Sequence, residues 1–222
     1  LFKLKPTVLV LRHGNTQFNS SPGGSPERIR GWIDVPLDEE GVQQAQAAAA
    51  KIGRLPLKRI VSSDLQRAAA TAQAVAAVAG VPLETSADLR PWNLGAYAGQ
   101  PIEQVKPRLD ELMVKYPRVN APGGESYAQF LQRFLTKLAS LMQEAEASPD
   151  DGFIVAVAHT RNLRAAEAWV TAGMPGATIP PEAVKQIVER KEQVDTGRHL
   201  LLYRDEEGWR AQPELAQSPG PT

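Results

Sequence analysis

Residues 7–19 read TVLVLRHGNTQFN. Thr7 to Leu11 form a continuous β-branched and apolar run, as expected of a strand covered on both faces. The run then breaks into Arg12, His13 and Gly14. An arginine beside a histidine at the mouth of an apolar strand costs electrostatic energy unless something negative binds there, so the rest of an anion site has to come from elsewhere in the chain.

Two further segments have the same build. RIVSS (59–63) is a short strand that runs into Asp64, expected to cap the alanine-rich helix LQRAAATAQAVAAVAG, which carries Arg67 one turn on and closes at Gly80. GFIVAVAH (152–159) is a strand that ends in His159 and Thr160, with a helix expected over 160–173. In an open α/β sheet the carboxyl ends of neighbouring strands converge on one crevice, which would gather Arg12, His13, Ser62, Ser63, Arg67 and His159 into a single pocket. Cationic forks and helix N-termini in such a pocket suit a phosphoryl group. One imidazole could then act as a covalent nucleophile toward phosphorus.

The remaining elements fit the same layout. Residues 37–55 read as a helix capped by Asp38, and VPLE (81–84) as a short strand followed by the irregular stretch SADLRPWNLGAYAGQP. Apolar side chains from Tyr127 to Met142 recur at three and four, a helix over 126–146 with one core stripe. Residues 199–212 form a hairpin turning at DEEG. Strands alternating with helices give an α/β class and a three-layer α/β/α sandwich. One domain is expected over 1–212, with the Pro/Gly/Ser-rich stretch 19–31 as a rim loop and a disordered tail at 213–222.

Composition narrows the function. Among 222 residues, 25 Lys and Arg balance 25 Asp and Glu, so the molecule has no general attraction for nucleic acid or an anionic membrane. With no cysteine, thiolate catalysis and Cys-ligated metals are excluded. No apolar stretch is long enough to cross a bilayer and no signal peptide is visible, which makes cytoplasmic the default location. The three histidines have no zinc-ligand spacing, and His199, before an apolar strand, reads as a surface or packing residue.

LRHGNTQFN resembles the opening motif of the histidine phosphatase superfamily, which includes phosphoglycerate mutases and many phosphomonoesterases. GWIDVPLDEEG (31–41), VSSDLQRAAATA (61–72), LRPWNLGAYAGQ (89–100), APGGESYAQFLQR (121–133) and VAVAHTRNLR (155–164) follow in the order and approximate spacing usual for that family. The resemblance implies a phosphoglycerate mutase-like fold and a phosphohistidine on His13. It implies that Arg12 and Arg67 neutralise the phosphoryl oxygens and that His159 stabilises the transition state. Thr16 and Asn19 match positions near the phosphate, with Asn19 a direct donor. No metal or organic cofactor is implied, and the partner would be a small phosphorylated molecule.

One position departs from the pattern. Where the family usually carries the glutamate that protonates the leaving oxygen, this chain has Pro91, and proline can neither give nor take a proton. General acid help is typically worth about 10²–10⁴ in rate. Asp88, three residues back, is expected to supply the carboxylate, with Glu103 or a rim residue from 20–30 as alternatives. A substrate with a good leaving group would manage without an acid, and a protein that only binds phosphorylated ligands would not need one.

The short lid, twenty residues between GQ (99–100) and APGGES, favours hydrolysis over a mutase's phosphotransfer. Arg28, Arg30, Arg161 and Arg164 are further cations that could read a second anionic group. Trp92 and Tyr97 could add an apolar platform, while Trp32 and Asp34 are expected to shape the rim, Asp34 as a cap or turn acceptor.

Overall fold

A computed structural model describes residues 5–19, 26–174, 176–189 and 195–213. Strands β1 (Thr7–Arg12), β2 (Leu57–Ser62), β3 (Leu83–Thr85), β4 (Phe153–Ala158), β5 (His199–Asp205) and β6 (Gly208–Pro213) form one sheet in the order β3-β2-β4-β1-β5-β6. The first four run parallel, and β5 and β6 add an antiparallel hairpin against β1. The register Val8↔Ile154 through Arg12↔Ala158 brings β1 and β4 to a common end. Arg12-His13 and His159 therefore leave the sheet side by side.

Helices cover both faces, which is why β1 and β4 are apolar throughout rather than alternating. Leu9, Leu11, Ile60, Val155 and Val157 face α1 (Glu39–Ile52) and α2 (Gln66–Ala79), whose alanines let the helix backbones lie close to the sheet. Val8, Val10, Val61, Ile154 and Ala156 face the larger core built with α3 (Ile102–Val114), α4 (Tyr127–Ala147), α5 (Thr160–Thr171) and α6 (Pro181–Glu189). The three-layer α/β/α arrangement expected from the sequence is the one observed.

Local chemistry sets most element ends. Asp38 Oδ1 accepts from Gly41 N at 2.7 Å to cap α1, and Ser126 and Gln129 form a reciprocal capping box on α4. Gly80 closes α2 in the left-handed conformation, with its N–H on the Ala76 carbonyl. Asp64 does not cap α2. Its two carboxylate oxygens accept from Arg90 Nε and Nη2, each at 2.6 Å. The open N-terminus of α2 is met instead by Asp34, whose Oδ1 accepts from Gln66 N at 2.7 Å. Asp34 is thus the cap acceptor it was expected to be, but for a helix 32 positions away.

Sequence reading missed α6, a short amphipathic helix with Val184 and Ile187 buried. The hairpin forms as expected around Glu206 and Glu207. Residues 20–25 of the rim loop and 214–222 of the tail lie outside the described residues.

Candidate active site

β1 ends where the chain must turn without a side chain in the way. A Cβ on Gly14 would lie 2.3 Å from the Gly41 carbonyl oxygen, and one on Gly41 would lie 2.1 Å from the Asn15 carbonyl oxygen. The loop after β1 is therefore pressed backbone to backbone against the start of α1, an approach open only to glycine. Gly14 N also donates to Thr71 Oγ1 on α2 at 3.2 Å. His13 N donates to the Ala158 carbonyl at 3.2 Å, which ties the first histidine to the strand that delivers the second.

Both imidazoles are buried, with ring centroids 5.0 Å apart and edge to face. His13 Nδ1 lies 2.6 Å from its neighbour's carbonyl, Gly14 O. A carbonyl can only accept, so Nδ1 carries the proton and the lone pair is on Nε2. His159 Nε2 lies 3.0 Å from Ser63 Oγ at the end of β2, and its Nδ1 is buried with no partner among the described residues. Burial holds both histidines well below their usual 6.5, and the positive charges of Arg67, Arg12 and Arg30 push in the same direction. Both rings are neutral at physiological pH.

Arg12 and Arg67 are buried as well, the latter at 1% exposure, so Arg67 is no solvent-facing helix residue. Desolvation, followed by the repulsion of Arg30, lowers each guanidinium to about 9, which leaves both charged. Arg67 spends Nη1 and Nη2 on the carbonyls of Ile33 and Gly31, at 2.9 and 3.0 Å, and so pins the rim to the site.

The rim contributes more than the sequence disclosed. Arg30 enters the cavity and donates through Nη1 to Thr16 Oγ1 at 2.9 Å and Asn19 Oδ1 at 2.6 Å. Thr16 and Asn19 sit behind Arg30 and do not line the cavity. Asn19 Oδ1 is further occupied by Thr16 N and Oγ1. Arg30 was one of the further cations expected to read an anionic group, and Gly31 beside it, with a positive φ of 51°, turns the chain at that point.

The cavity measures about 830 Å³ and is lined by Arg12, His13, Arg67 and His159 at one end, with Trp92, Met113 and Ile187 in its walls. Pro91 also lines it. Its carbonyl accepts from Trp32 Nε1 at 2.8 Å and from Arg133 Nη2 at 2.9 Å. Arg133 also donates to the carbonyls of Ala87, Asp88 and Arg90, a role that nothing in its sequence context announced.

Asp88 is not part of this site. It is exposed, takes a hydrogen bond from Ser86 Oγ, and lines a separate depression with Gln129, Arg133 and Lys137. The 3-10 turn over Ala87–Leu89 and the grip of Arg133 on its backbone carry that side chain outward. Glu103 is exposed on α3 and is likewise outside the cavity lining. Among the described residues, the carboxylates that do line it are Glu27, Asp110 and Glu189. Of these, Glu27 makes an ion pair with Arg30 at 3.6 Å and is close enough to Arg12 to oppose the lowering of its pKa. His199 begins β5 and does not line the cavity, and Tyr97 also lies outside its lining.

Among the described residues no cluster of three or more His, Asp or Glu could hold a metal ion, and no helix is long and apolar enough to cross a membrane.

A central parallel sheet whose strand ends deliver two neutral histidines and paired buried arginines defines a phosphoryl-handling α/β protein. Residues 8–188 match the model of the histidine phosphatase superfamily (branch 1), and the chain belongs to that family. It is 32% identical over 142 residues to the probable phosphoglycerate mutase GpmB of Yersinia pestis, a match spanning 61% of this chain and 63% of that protein, less than two thirds of either. Among solved structures, a mycobacterial glucosyl-3-phosphoglycerate phosphatase superposes with a TM-score of 0.70 at 26% identity, over 96% of this chain and 98% of the other. A protein from Thermus thermophilus, TTHB049, superposes with a TM-score of 0.63 at 27% identity, over 96% and 99%.

Proposed function

We propose that the chain is a phosphomonoesterase acting on a small phosphorylated substrate through a phosphohistidine on His13. The observation that carries this reading is the tether of His13 Nδ1 to Gly14 O, which leaves Nε2 as a neutral, oriented nucleophile. Nε2 attacks phosphorus and the ester P–O bond breaks. Arg12, Arg67 and Arg30 hold the planar phosphoryl oxygens, with Thr16 and Asn19 orienting Arg30. Ser63 Oγ, which already faces Leu65 N, directs its proton toward His159 Nε2, so His159 Nδ1–H is the donor left for the phosphoryl group. Water then attacks the phosphohistidine, phosphate leaves and Nε2 is restored.

Glu27 takes the acid and base roles that Asp88 cannot reach. It lines the cavity and pairs with Arg30 at 3.6 Å. From that position its carboxyl group gives the leaving oxygen its proton and then takes one from the attacking water.

The likeness to a solved glucosyl-3-phosphoglycerate phosphatase, also known in complexes with VO3 and with inorganic phosphate, supports hydrolysis. The likeness to a probable phosphoglycerate mutase favours a second reading, transfer between two oxygens of a phosphorylated hydroxyacid. Pro91 favours a third, a protein that binds phosphorylated ligands without turnover. The test is phosphate release from alkyl, sugar and 4-nitrophenyl phosphates beside His13→Ala, with acid-labile labelling of the protein. Release with a label that His13→Ala abolishes is expected. Transfer without net release would establish the mutase reading, and vanadate binding with neither label nor release would establish the binding module.

A further inference from the structure

Arg67 reaches the phosphoryl end from the first turn of α2, and two acceptors orient it, the carbonyls of Ile33 and Gly31. With Nη1 and Nη2 committed at 2.9 and 3.0 Å, the plane of the guanidinium is fixed, and Nε is buried with no partner among the described residues. The donors that Arg67 has left for an anion therefore point where these two carbonyls direct them. The residue between the two carbonyls is Trp32, which the reaction scheme leaves unused.

Trp32 does not line the cavity, and its side chain is tied down outside it. Its Nε1 donates to the Pro91 carbonyl at 2.8 Å, an acceptor that Arg133 Nη2 shares at 2.9 Å and that the fixed φ of proline stiffens. The Arg90 guanidinium lies 4.6 Å from the centre of the Trp32 ring and that of Arg133 lies 5.7 Å from it, both within cation–π range. Each of these cations is itself anchored. Asp64, just after β2, accepts from Arg90 through two bonds of 2.6 Å, and Glu125 accepts from Arg133, on α4, at 2.6 and 3.2 Å. Asp34 ties the same loop to the start of α2, two residues on, whereas at Trp32 itself the tie runs to the end of β2 and to α4.

We infer that Trp32 is a positioning residue for the phosphoryl site: held by the Arg90–Asp64 and Arg133–Glu125 pairs, it fixes the Gly31 and Ile33 carbonyls and through them the direction of the Arg67 guanidinium. A misplacement of about 1 Å at a group that holds the reacting atoms can cost about 10²-fold, so a side chain outside the cavity can govern what happens in it. The inference rests on the proposed function only in taking Arg67 as a phosphoryl contact. It also gives a use to Asp64, which does not cap α2.

Vanadate, titrated calorimetrically into the full chain, reads the anion site without turnover. Trp32→Leu, which loses both the ring and the bond to Pro91, should bind vanadate about ten- to hundredfold more weakly, the scale of a misdirected charge-assisted hydrogen bond. Trp32→Phe keeps a ring and loses the bond, and should fall between Trp32→Leu and the unaltered chain. Both substitutions are then repeated beside Arg67→Lys, which keeps a positive charge but has no fork for the two carbonyls to direct. In that background either substitution at Trp32 should change vanadate affinity by less than about twofold, whereas a Trp32 that merely supported the fold would weaken binding equally in both.

Unchanged vanadate affinity in Trp32→Leu and Trp32→Phe, or a loss of equal size beside Arg67→Lys, would overturn the positioning role. Should Trp32→Leu not fold, Trp32→Phe carries the same two comparisons. A Trp32 effect that vanishes beside Arg67→Lys in a chain that hydrolyses no ester would support the positioning role and overturn the phosphatase reading instead.

Discussion

Glu27 is paired with Arg30 on the wall of the same cavity, and this arrangement makes its proposed part measurable. Glu27→Gln should slow alkyl phosphates by about 10²–10³ and 4-nitrophenyl phosphate by only a few-fold, because the second leaving group needs little protonation. The comparison of kcat for the two esters checks it, and equal losses on both would remove Glu27 as the acid. At the same scale, burial and three arginines depress both histidines. The unfolded chain takes up protons below about 6.5 while the native chain does not, so stability is full above that pH and is lost as pH falls through the range beneath it. Melting temperatures between pH 5 and 7.5 should show this slope, at most about 1.4 kcal/mol per pH unit for each histidine. It should flatten in His159→Asn.

Elements hold these side chains in place through backbone contact as much as through packing. Gly41 touches no substrate, yet a methyl group there would meet the Asn15 carbonyl oxygen at 2.1 Å and push the loop that follows His13. Gly41→Ala should cost about 1–3 kcal/mol of stability and reduce kcat more than its exposed neighbour Val42→Ala, which denaturant melts and initial rates would compare. This contact also marks a limit on what sequence patterns reveal. The strands, α1, α2, α4, α5 and the terminal hairpin were legible because their apolar periods and most of their caps are local. Asp64 misled because a good capping residue beside a helix start was claimed by Arg90, 26 positions on, while Asp34 crossed from another loop to do the capping. α6 escaped notice because its apolar side chains are few and acquire a partner only when α3 and α5 come together.

For the molecule as a whole, an equal count of acidic and basic residues conceals a segregated field. Arg12, Arg30, Arg67 and Arg161 share one cavity, and the protein's acids mostly lie outside its lining. Low-dielectric walls focus that field on an approaching dianion. The kcat/KM for a phosphate ester should therefore fall several-fold between about 10 and 200 mM salt with kcat nearly unchanged, and a flat salt profile would argue against steering. The site was legible at the same scale to the extent that its members sit at strand ends: Arg12, His13, Ser63 and His159 were visible from topology. Arg30 was singled out only as a further cation and Glu27 only as one of the rim residues from 20–30, while Arg133 was given no role, because loops and a distant helix bring them in. The bond from His13 N to the Ala158 carbonyl joins the two innermost strands at the place where both histidines emerge. Removing the histidine pair from register thus requires parting the centre of the sheet, so the protein has little room for a state that stays folded while this end of its cavity has come apart.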